Sequence, residues 1–153
     1  MAYAEDTFLL LDALENDCEL LRTLQPTICL EIGSGSGCVT AFLGALLGHD
    51  SACNYGSDEV GSHGIEAAWA GGIDGREVID EFLPLVPQLL SDRGRFYLVL
   101  IKENRPEEIM KYMLDNYNLE SEILLRRKAG FEGLVIIRFQ RPQSIPTAAL
   151  SLS

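Results

Sequence analysis

The residues best suited to hold a ligand lie in one stretch, CLEIGSGSG at 29–37, where an acidic residue and three glycines follow an apolar run. Glu31 is followed at every second position by Gly33, Gly35 and Gly37. Glycine lets the backbone turn sharply and lets a ligand approach closely, because no Cβ is in the way. Backbone N–H groups at the start of a following helix favour anionic or strongly polar groups. This glycine ladder therefore predicts a ligand-binding turn between a strand and a helix.

Two familiar phosphate-binding patterns do not fit this ladder. A P-loop ends in Lys followed by Ser or Thr, whereas Cys38 and Val39 follow the last glycine here. The dinucleotide fingerprint G-x-G-x-x-G needs its third glycine at position 38 instead of 37. A third possibility, glycines that serve only a tight strand-to-helix turn and hold no ligand, stays open.

Composition limits the class of protein. The 153 residues suffice for one domain, and 47% hydrophobic with 23% charged residues is typical of a globular fold. The net charge of −11 gives a surface field that repels phosphate backbones. We therefore expect no direct binding to nucleic acid.

The cysteines and the apolar segments indicate where the protein works. Cys18, Cys29, Cys38 and Cys53 contain no C-x-x-C pair, so we expect reduced thiols and no metal site. No apolar stretch is long enough to span a membrane, and the N-terminus lacks the pattern of a signal peptide. These features predict a cytoplasmic protein, also present in the nucleus, with no membrane partner.

Helices and strands are predicted to alternate around the ladder. Apolar periodicity predicts helices at about 6–24, 38–47 and 75–90 and from Pro106 onward, and strands at about 27–32, 96–101, 122–128 and 134–140. This order predicts an α/β fold in one domain over 1–141, with a mostly parallel sheet, helices on both faces and a C-terminal antiparallel hairpin. The polar tail, 142–153, is expected to be disordered. Since ligands of such sheets bind at the carboxyl ends of the strands, the ladder is in the expected place.

Residues 48–75 are predicted to be a loop. They hold seven of the fourteen glycines and show no apolar alternation. Asp58 lies at a distance from the ladder that would suit an acid bound to a ribose, but NYGSDE does not have the pattern of a strand. Asp58 is therefore interpreted as a solvated loop charge.

Four segments carry a family resemblance. They are AEDTFLLLDAL (4–14), CLEIGSGSGCVTAFL (29–43), VGSHGIEAAWAGG (60–72) and DGREVIDEFLPLVPQLLSDRGRFYLVLIKEN (74–104). Together they resemble HemK-type glutamine methyltransferases, and within these the eukaryotic branch that methylates the glutamine of the GGQ motif in the translation termination factor. The resemblance implies a Rossmann-like class I methyltransferase sheet and S-adenosylmethionine as cofactor. It also implies a release factor as substrate and a small zinc-binding activator subunit as partner.

The resemblance assigns roles to residues of this chain. Residues implied to bind the cofactor are Thr7, Glu31, Gly33, Ser34, Gly35 and Gly37; those implied to border the substrate are Gly64 and Glu66. From the residues alone, Thr7 could equally be an ordinary helix cap, and Glu66 a structural hydrogen-bonding group or a charge at a helix start.

Two elements of that family are not visible between positions 47 and 60: a strand ending in the ribose-binding acid, and a strand leading to Asn-Pro-Pro-Tyr. The prolines stand at 26, 84, 87, 106, 142 and 146, so no Pro-Pro pair exists in the chain. In the family that motif orients the substrate amide toward the cofactor methyl group. We therefore expect an internally truncated form that has lost central strands and is catalytically impaired. The alternative is a splice variant or partner-binding relic that transfers no methyl group; an oxidoreductase that binds a dinucleotide is not supported.

Overall fold

The computed structural model describes residues 3–33, 36–48, 54–58 and 76–143. The helices are α1 (Tyr3–Asn16), α2 (Cys18–Leu24), α3 (Cys38–Leu47), α4 (Glu77–Phe82), α5 (Val86–Leu89) and α6 (Pro106–Tyr117). The strands are β1 (Ile28–Ile32), β2 (Asn54–Asp58), β3 (Arg95–Ile101), β4 (Glu120–Ala129) and β5 (Glu132–Gln140), with 3-10 turns at Leu83–Leu85 and Lys102–Asn104. All four predicted strands are present, so the α/β prediction is confirmed. The predicted tail is outside the described residues beyond position 143.

Two hydrogen-bonded groups of strands occur among the described residues. β1 and β2 are parallel, and β5 lies between β3 and β4, antiparallel to both. The predicted C-terminal hairpin is β4 and β5, which meet at Gly130 in a left-handed backbone conformation. In these strands, antiparallel residue pairs outnumber parallel ones, because the hairpin strands β4 and β5 are the longest. This differs from the mostly parallel sheet that the sequence predicted.

The loop predicted over 48–75 is wrong at positions 54–58, which form β2. Its register places Ile28 beside Asn54 and Ile32 beside Asp58. The side-chain pattern did not predict this strand. A short strand is stabilised by backbone hydrogen bonds to its neighbour, and its own β-propensity is a weak indicator. Asp58 is thus the last residue of a strand and not a loop charge. The rest of that segment lies outside the described residues.

Helices cover both faces of the antiparallel group, as predicted. On one face Leu83, Ile109 and Met113 pack against Ile137 and Phe139 of β5. On the other face Leu9 and Ala13 of α1 pack against Leu134 and Ile136. Alternate residues of β5 therefore point into two separate cores, which explains its continuous apolar run.

A third cluster joins the first helices to α3. Leu14 and Leu21 pack against Val39, with Leu24 and Phe42 at the margin. The single helix predicted over 6–24 is in fact two helices separated at Asp17, and the first begins at Tyr3. The predicted interruption of the helix at 75–90 is confirmed, because a 3-10 turn containing Pro84 divides α4 from α5.

An ionic network connects the break at Asp17 to the antiparallel strands. Asp17 Oδ2 accepts hydrogen bonds from the Tyr97 hydroxyl at 2.8 Å and from Arg138 Nη1 at 2.6 Å. Arg138 Nη2 donates to Glu122 Oε2 at 2.5 Å. The side chains of Arg138 and Asp17 are only 13% and 14% exposed. Removing one partner of such a buried pair leaves a poorly solvated charge.

We predict that Arg138→Met lowers the free energy of unfolding by about 3 kcal/mol, because Asp17 would lose its paired charge and keep the hydrogen bond from the Tyr97 hydroxyl. Lys111→Met is the matched control: Lys111 pairs with Asp115 on the surface of α6, where both side chains are more than half exposed. Loss of such a pair costs about 0.5 kcal/mol or less. Urea denaturation measures both variants, and equal losses would contradict the prediction.

A second prediction concerns alkaline pH. Burial, and then the hydrogen bond donated to Asp17, raise the pKa of Tyr97 far above its ordinary value of 10.0. The unfolded chain therefore loses this phenolic proton first, and the folded state is destabilised as the pH rises above about 10. Urea denaturation at several pH values should show a steeper alkaline loss in the wild type than in Tyr97→Phe. Parallel curves would refute a role for Tyr97.

Candidate functional site

The glycine ladder follows β1 and leads into α3. Gly33 and Gly37 both have φ of +73°, in the left-handed region that side chains disfavour. Apart from the adjoining residues of the chain, no atom lies within 4 Å of the place where a Cβ would be at either position. Glycine is therefore needed at 33 and 37 for the backbone conformation, and the space beside the turn is open. Ser34 and Gly35 lie outside the described residues.

Glu31 stands at the junction between strand and helix. Its Oε2 accepts a hydrogen bond from the Thr40 N–H at 3.1 Å and a second one from the Thr40 hydroxyl. Thr40 is the third residue of α3, and the residue before the helix, Gly37, has no side chain to cap it. Glu31 therefore supplies from β1 the carboxylate that an N-cap residue usually supplies. The negative charge also suits the positive end of the helix dipole.

A second acidic residue, Asp58, lies at the carboxyl end of the parallel strands, where the ladder also begins. Asp58 ends β2 directly beside Ile32, the last residue of β1. In α/β sheets, ligands bind at this edge, where an acid on the neighbouring strand can accept hydrogen bonds from a ribose. The signal in the sequence was spacing, since Asp58 follows Gly37 by 21 positions. The lack of an apolar strand pattern obscured it.

The other predicted site residues are only partly described. Thr7 is half-buried inside α1, and its N–H donates to Asp6 Oδ1 at 2.7 Å. The alternative that Thr7 caps the helix is wrong, because α1 begins at Tyr3. Its proximity to a cofactor stays a prediction. Gly64 and Glu66 lie outside the described residues, so the substrate side also stays a prediction.

Two polar residues that follow strands were missed from the sequence. Thr40 is one, and its signal is a hydroxyl residue in the first turn of a helix whose N-cap is glycine. Asn104 is the other: it is buried after β3, and its Oδ1 accepts the Ile101 N–H at 2.9 Å. Asn104 thus closes the turn that ends β3, and no periodicity of apolar residues would reveal it.

The residues could hold S-adenosylmethionine but offer no metal centre in the described ranges. That cofactor carries a sulfonium, an ammonium and ribose hydroxyls, which suit the two acids and the open glycine turn. No group of three or more His, Cys, Asp or Glu side chains that could hold a metal ion occurs in the described parts of the chain.

The described helices include none that is both apolar and long enough to cross a membrane. A groove of about 400 Å³ near Arg22 and Gly48 is at the far end of α3 from the ladder.

Comparison with known proteins identifies relatives along most of the chain. Methyltransferase HEMK2 of Homo sapiens is 42% identical over 90% of this chain and 88% of its own length. Methyltransferase HEMK2 of Mus musculus is 40% identical with the same coverage. The eRF1 methyltransferase catalytic subunit mtq2 of Schizosaccharomyces pombe is 30% identical over 90% of this chain and 87% of its own length. No protein-family model matches the chain.

A solved structure shows the same fold. The E. cuniculi Mtq2–Trm112 complex, responsible for the methylation of the eRF1 translation termination factor, contains a chain that matches with a TM-score of 0.66 and 25% identity. The match covers 90% of this chain and 96% of that chain. The chain therefore shares its overall fold with a known methyltransferase.

We predict that Gly37→Ala lowers the free energy of unfolding by about 1 kcal/mol or more, because alanine disfavours positive φ. Gly133→Ala is the matched control: Gly133 has no positive φ, and its Cβ would meet only the Lys102 Cβ at an ordinary 3.7 Å. Thermal or urea unfolding compares the two. A Gly37→Ala variant as stable as Gly133→Ala would show that the left-handed turn is not required.

Proposed function

This chain belongs to the HEMK2 and Mtq2 family of methyltransferases, and on that premise we propose that it binds S-adenosylmethionine at the carboxyl edge of β1 and β2 but transfers methyl groups poorly. The substrate class is the glutamine of the GGQ motif in a translation release factor. A small zinc-binding subunit is the partner, and the cytoplasm, with the nucleus, is where the protein acts. The relative from S. pombe is named for eRF1, and the Mtq2 structure contains Trm112.

The juxtaposition of Asp58 with Ile32 carries the cofactor half of this proposal. In the family, a second strand ends in the acid that binds the cofactor ribose, and β2 ends in Asp58 beside β1. We propose that Asp58 accepts hydrogen bonds from the ribose, while Glu31, Gly33 and Gly37 form the wall next to the methionine portion. Thr7, Ser34 and Gly35 are proposed to complete that wall. The bound cofactor would supply a methyl group made electrophilic by its sulfonium.

The proline positions support impaired transfer. An amide nitrogen is a weak nucleophile because its lone pair is delocalised into the carbonyl. The family's Asn-Pro-Pro-Tyr motif holds that amide in line with the methyl group, and this chain has no Pro-Pro pair. Loss of such positioning can cost about 7–11 kcal/mol of barrier. Gly64 and Glu66 are proposed to border the substrate, as the resemblance implies.

Alignment length also supports an internal truncation. The alignment with human HEMK2 spans 191 positions but includes only 90% of this chain, about 138 of its 153 residues, so about 53 positions (191 minus 138) stand opposite gaps in this chain. A segment of that size could include a strand and the catalytic motif.

A second candidate function is binding of a partner without methyl transfer. Ile28, Leu30 and Ile32 on one face of β1 are 70%, 46% and 40% exposed. Apolar residues that are adjacent on a strand face and exposed often mark an interaction surface. This exposed face of β1 supports binding of the small subunit. Such binding would not require the cofactor.

We predict saturable binding of S-adenosylmethionine to the full chain in a calorimetric titration, with and without the small subunit. Asp58→Asn should weaken binding by roughly tenfold or more, because a charged hydrogen-bond acceptor to the ribose is lost. Asp92→Asn is the matched control, since its side chain is fully exposed in the turn before β3 and pairs only loosely with Arg141, at 3.7 Å. No binding by a folded wild type would favour the partner-binding function instead.

Methyl transfer is tested in the same preparation. With labelled S-adenosylmethionine and eRF1, we expect no incorporation above background, whereas the Mtq2–Trm112 complex serves as the positive control. Incorporation at a rate similar to that complex would overturn the proposed impairment, while leaving cofactor binding intact.

A further inference from the structure

The hairpin of β4 and β5 carries a basic surface near its turn, although the chain as a whole has a net charge of −11. Lys128 of β4 lies directly opposite Gly133 of β5. Lys102, in the 3-10 turn after β3, lies on the other side of Gly133, because a Cβ on this glycine would meet the Lys102 Cβ at 3.7 Å. Two lysines therefore flank one position that has no side chain.

The missing side chain at Gly133 leaves a gap between these lysines. Residues directly opposite each other in an antiparallel pair point to the same face of the sheet, so Lys128 projects on the face where a side chain at 133 would be. Two strand spacings put the bases of the two lysine side chains roughly 10 Å apart. Two long, flexible ammonium side chains can close around one carboxylate across such a gap.

The cations on this face have no strong acidic partner in the described parts of the chain. Both lysines are exposed, and no described acidic group pairs with either. Arg126 lies on the same face and is 3.5 Å from Glu107 of α6, but both side chains are more than half exposed, so this pair is weak. The adjacent Arg127 points to the other face and pairs with Asp12 of α1. A partner with acidic groups would therefore displace little.

An exposed aromatic residue lies next to these charges along the chain. Phe131, in the turn of the hairpin, is fully exposed, and no described large apolar side chain is more exposed. It follows Gly130, whose φ of +60° forms the turn. Exposed aromatic rings beside cations are typical of binding surfaces, because burial of the ring against a partner is favourable. This surface is termed the hairpin patch, and its members are Lys102, Arg126, Lys128, Phe131 and Gly133.

We propose that the hairpin patch binds an acidic segment of a partner protein. One carboxylate of that segment lies between the two lysines, in the gap above Gly133, and an apolar side chain of the segment packs against Phe131. Charge complementarity identifies this occupant, because a local group of cations on an acidic chain attracts acidic groups at short range. This interaction is additional to cofactor binding and methyl transfer and rests on neither.

Two other occupants are disfavoured. A single-stranded nucleic acid offers phosphates and bases to the same groups, but the net charge of −11 repels a polyanion over a longer range. A second copy of this chain, paired edge to edge along this part of β4, would place the basic run 126–128 beside itself. Like charges on neighbouring strands are unfavourable.

The test is fluorescence anisotropy of a short labelled peptide, in which glutamate alternates with valine, titrated with the full chain. We expect saturable binding that weakens as the salt concentration rises. A peptide with lysine in place of every glutamate should not bind. Lys128→Ser should weaken binding of the acidic peptide by about fivefold, and Lys102→Ser combined with Lys128→Ser by about tenfold or more.

Arg93→Ser is the matched control for the loss of a positive charge. Arg93 is exposed and precedes β3, whereas Lys102 follows that strand, so the two cations are at opposite ends of it. The control should change the affinity by about twofold or less. An equal loss of affinity in Arg93→Ser and Lys128→Ser would overturn the proposal.

Two further variants distinguish a specific contact from general attraction. Gly133→Val keeps every charge but fills the gap, and it should weaken binding by about fivefold. Phe131→Ser keeps the charges and the gap, and it should also weaken binding by about fivefold, through loss of the apolar contact. Thermal unfolding shows that each variant is folded. Unchanged affinity in both folded variants would overturn the proposed mode of binding.

The remaining outcomes also decide the proposal. No binding of the acidic peptide, or equal binding of the acidic and the basic peptide, would overturn it. Tighter binding of a single-stranded oligonucleotide than of the acidic peptide would assign the hairpin patch to nucleic acid instead. Dimers in analytical ultracentrifugation that Lys128→Glu disrupts would assign it to a second copy of the chain.

Discussion

The bond between Glu31 and Thr40 is the constraint on which the candidate site depends. It ties the end of β1 to the first turn of α3, so the glycine ladder between them is held at both ends. Gly33 and Gly37 can then adopt the left-handed backbone that the turn requires. One carboxylate stabilises the helix, shapes the turn and sets the sign of the local charge. The stability of α3 and the shape of the candidate site therefore have a common physical origin.

A second set of polar contacts connects the two halves of the protein. Asp17, at the break between α1 and α2, is held by Tyr97 of β3 and Arg138 of β5. The same helices pack against α3 through Leu14 and its neighbours. The position of α3, and with it the ladder, is thus linked to the antiparallel strands through the first two helices. In the described residues this link compensates for the lack of hydrogen bonds between the two groups of strands.

Similarity to known methyltransferases supports cofactor binding, whereas the proline positions argue against orientation of the substrate amide. Similarity to HEMK2 and Mtq2 extends over nine-tenths of the chain, and the fold agrees with that of Mtq2 at a TM-score of 0.66. The sequence nevertheless contains no Pro-Pro pair, and the motif proposed to orient a substrate amide requires one. Cofactor binding and substrate orientation depend on different strands, so one can persist without the other. We propose that this chain represents that division.

The sequence by itself determined the ladder, the main strands and the family, because these depend on local features: glycine spacing, apolar periodicity and short motifs. It could not show that Asp58 ends a strand, because β2 is formed by backbone pairing with β1 and not by its own side-chain pattern. It could not show the partner of Glu31 or the contacts of Asp17, since those residues meet only after the chain folds back on itself. Tertiary structure decided these features because their free energy comes from groups that are distant in sequence, and no local pattern encodes which distant group will be the neighbour.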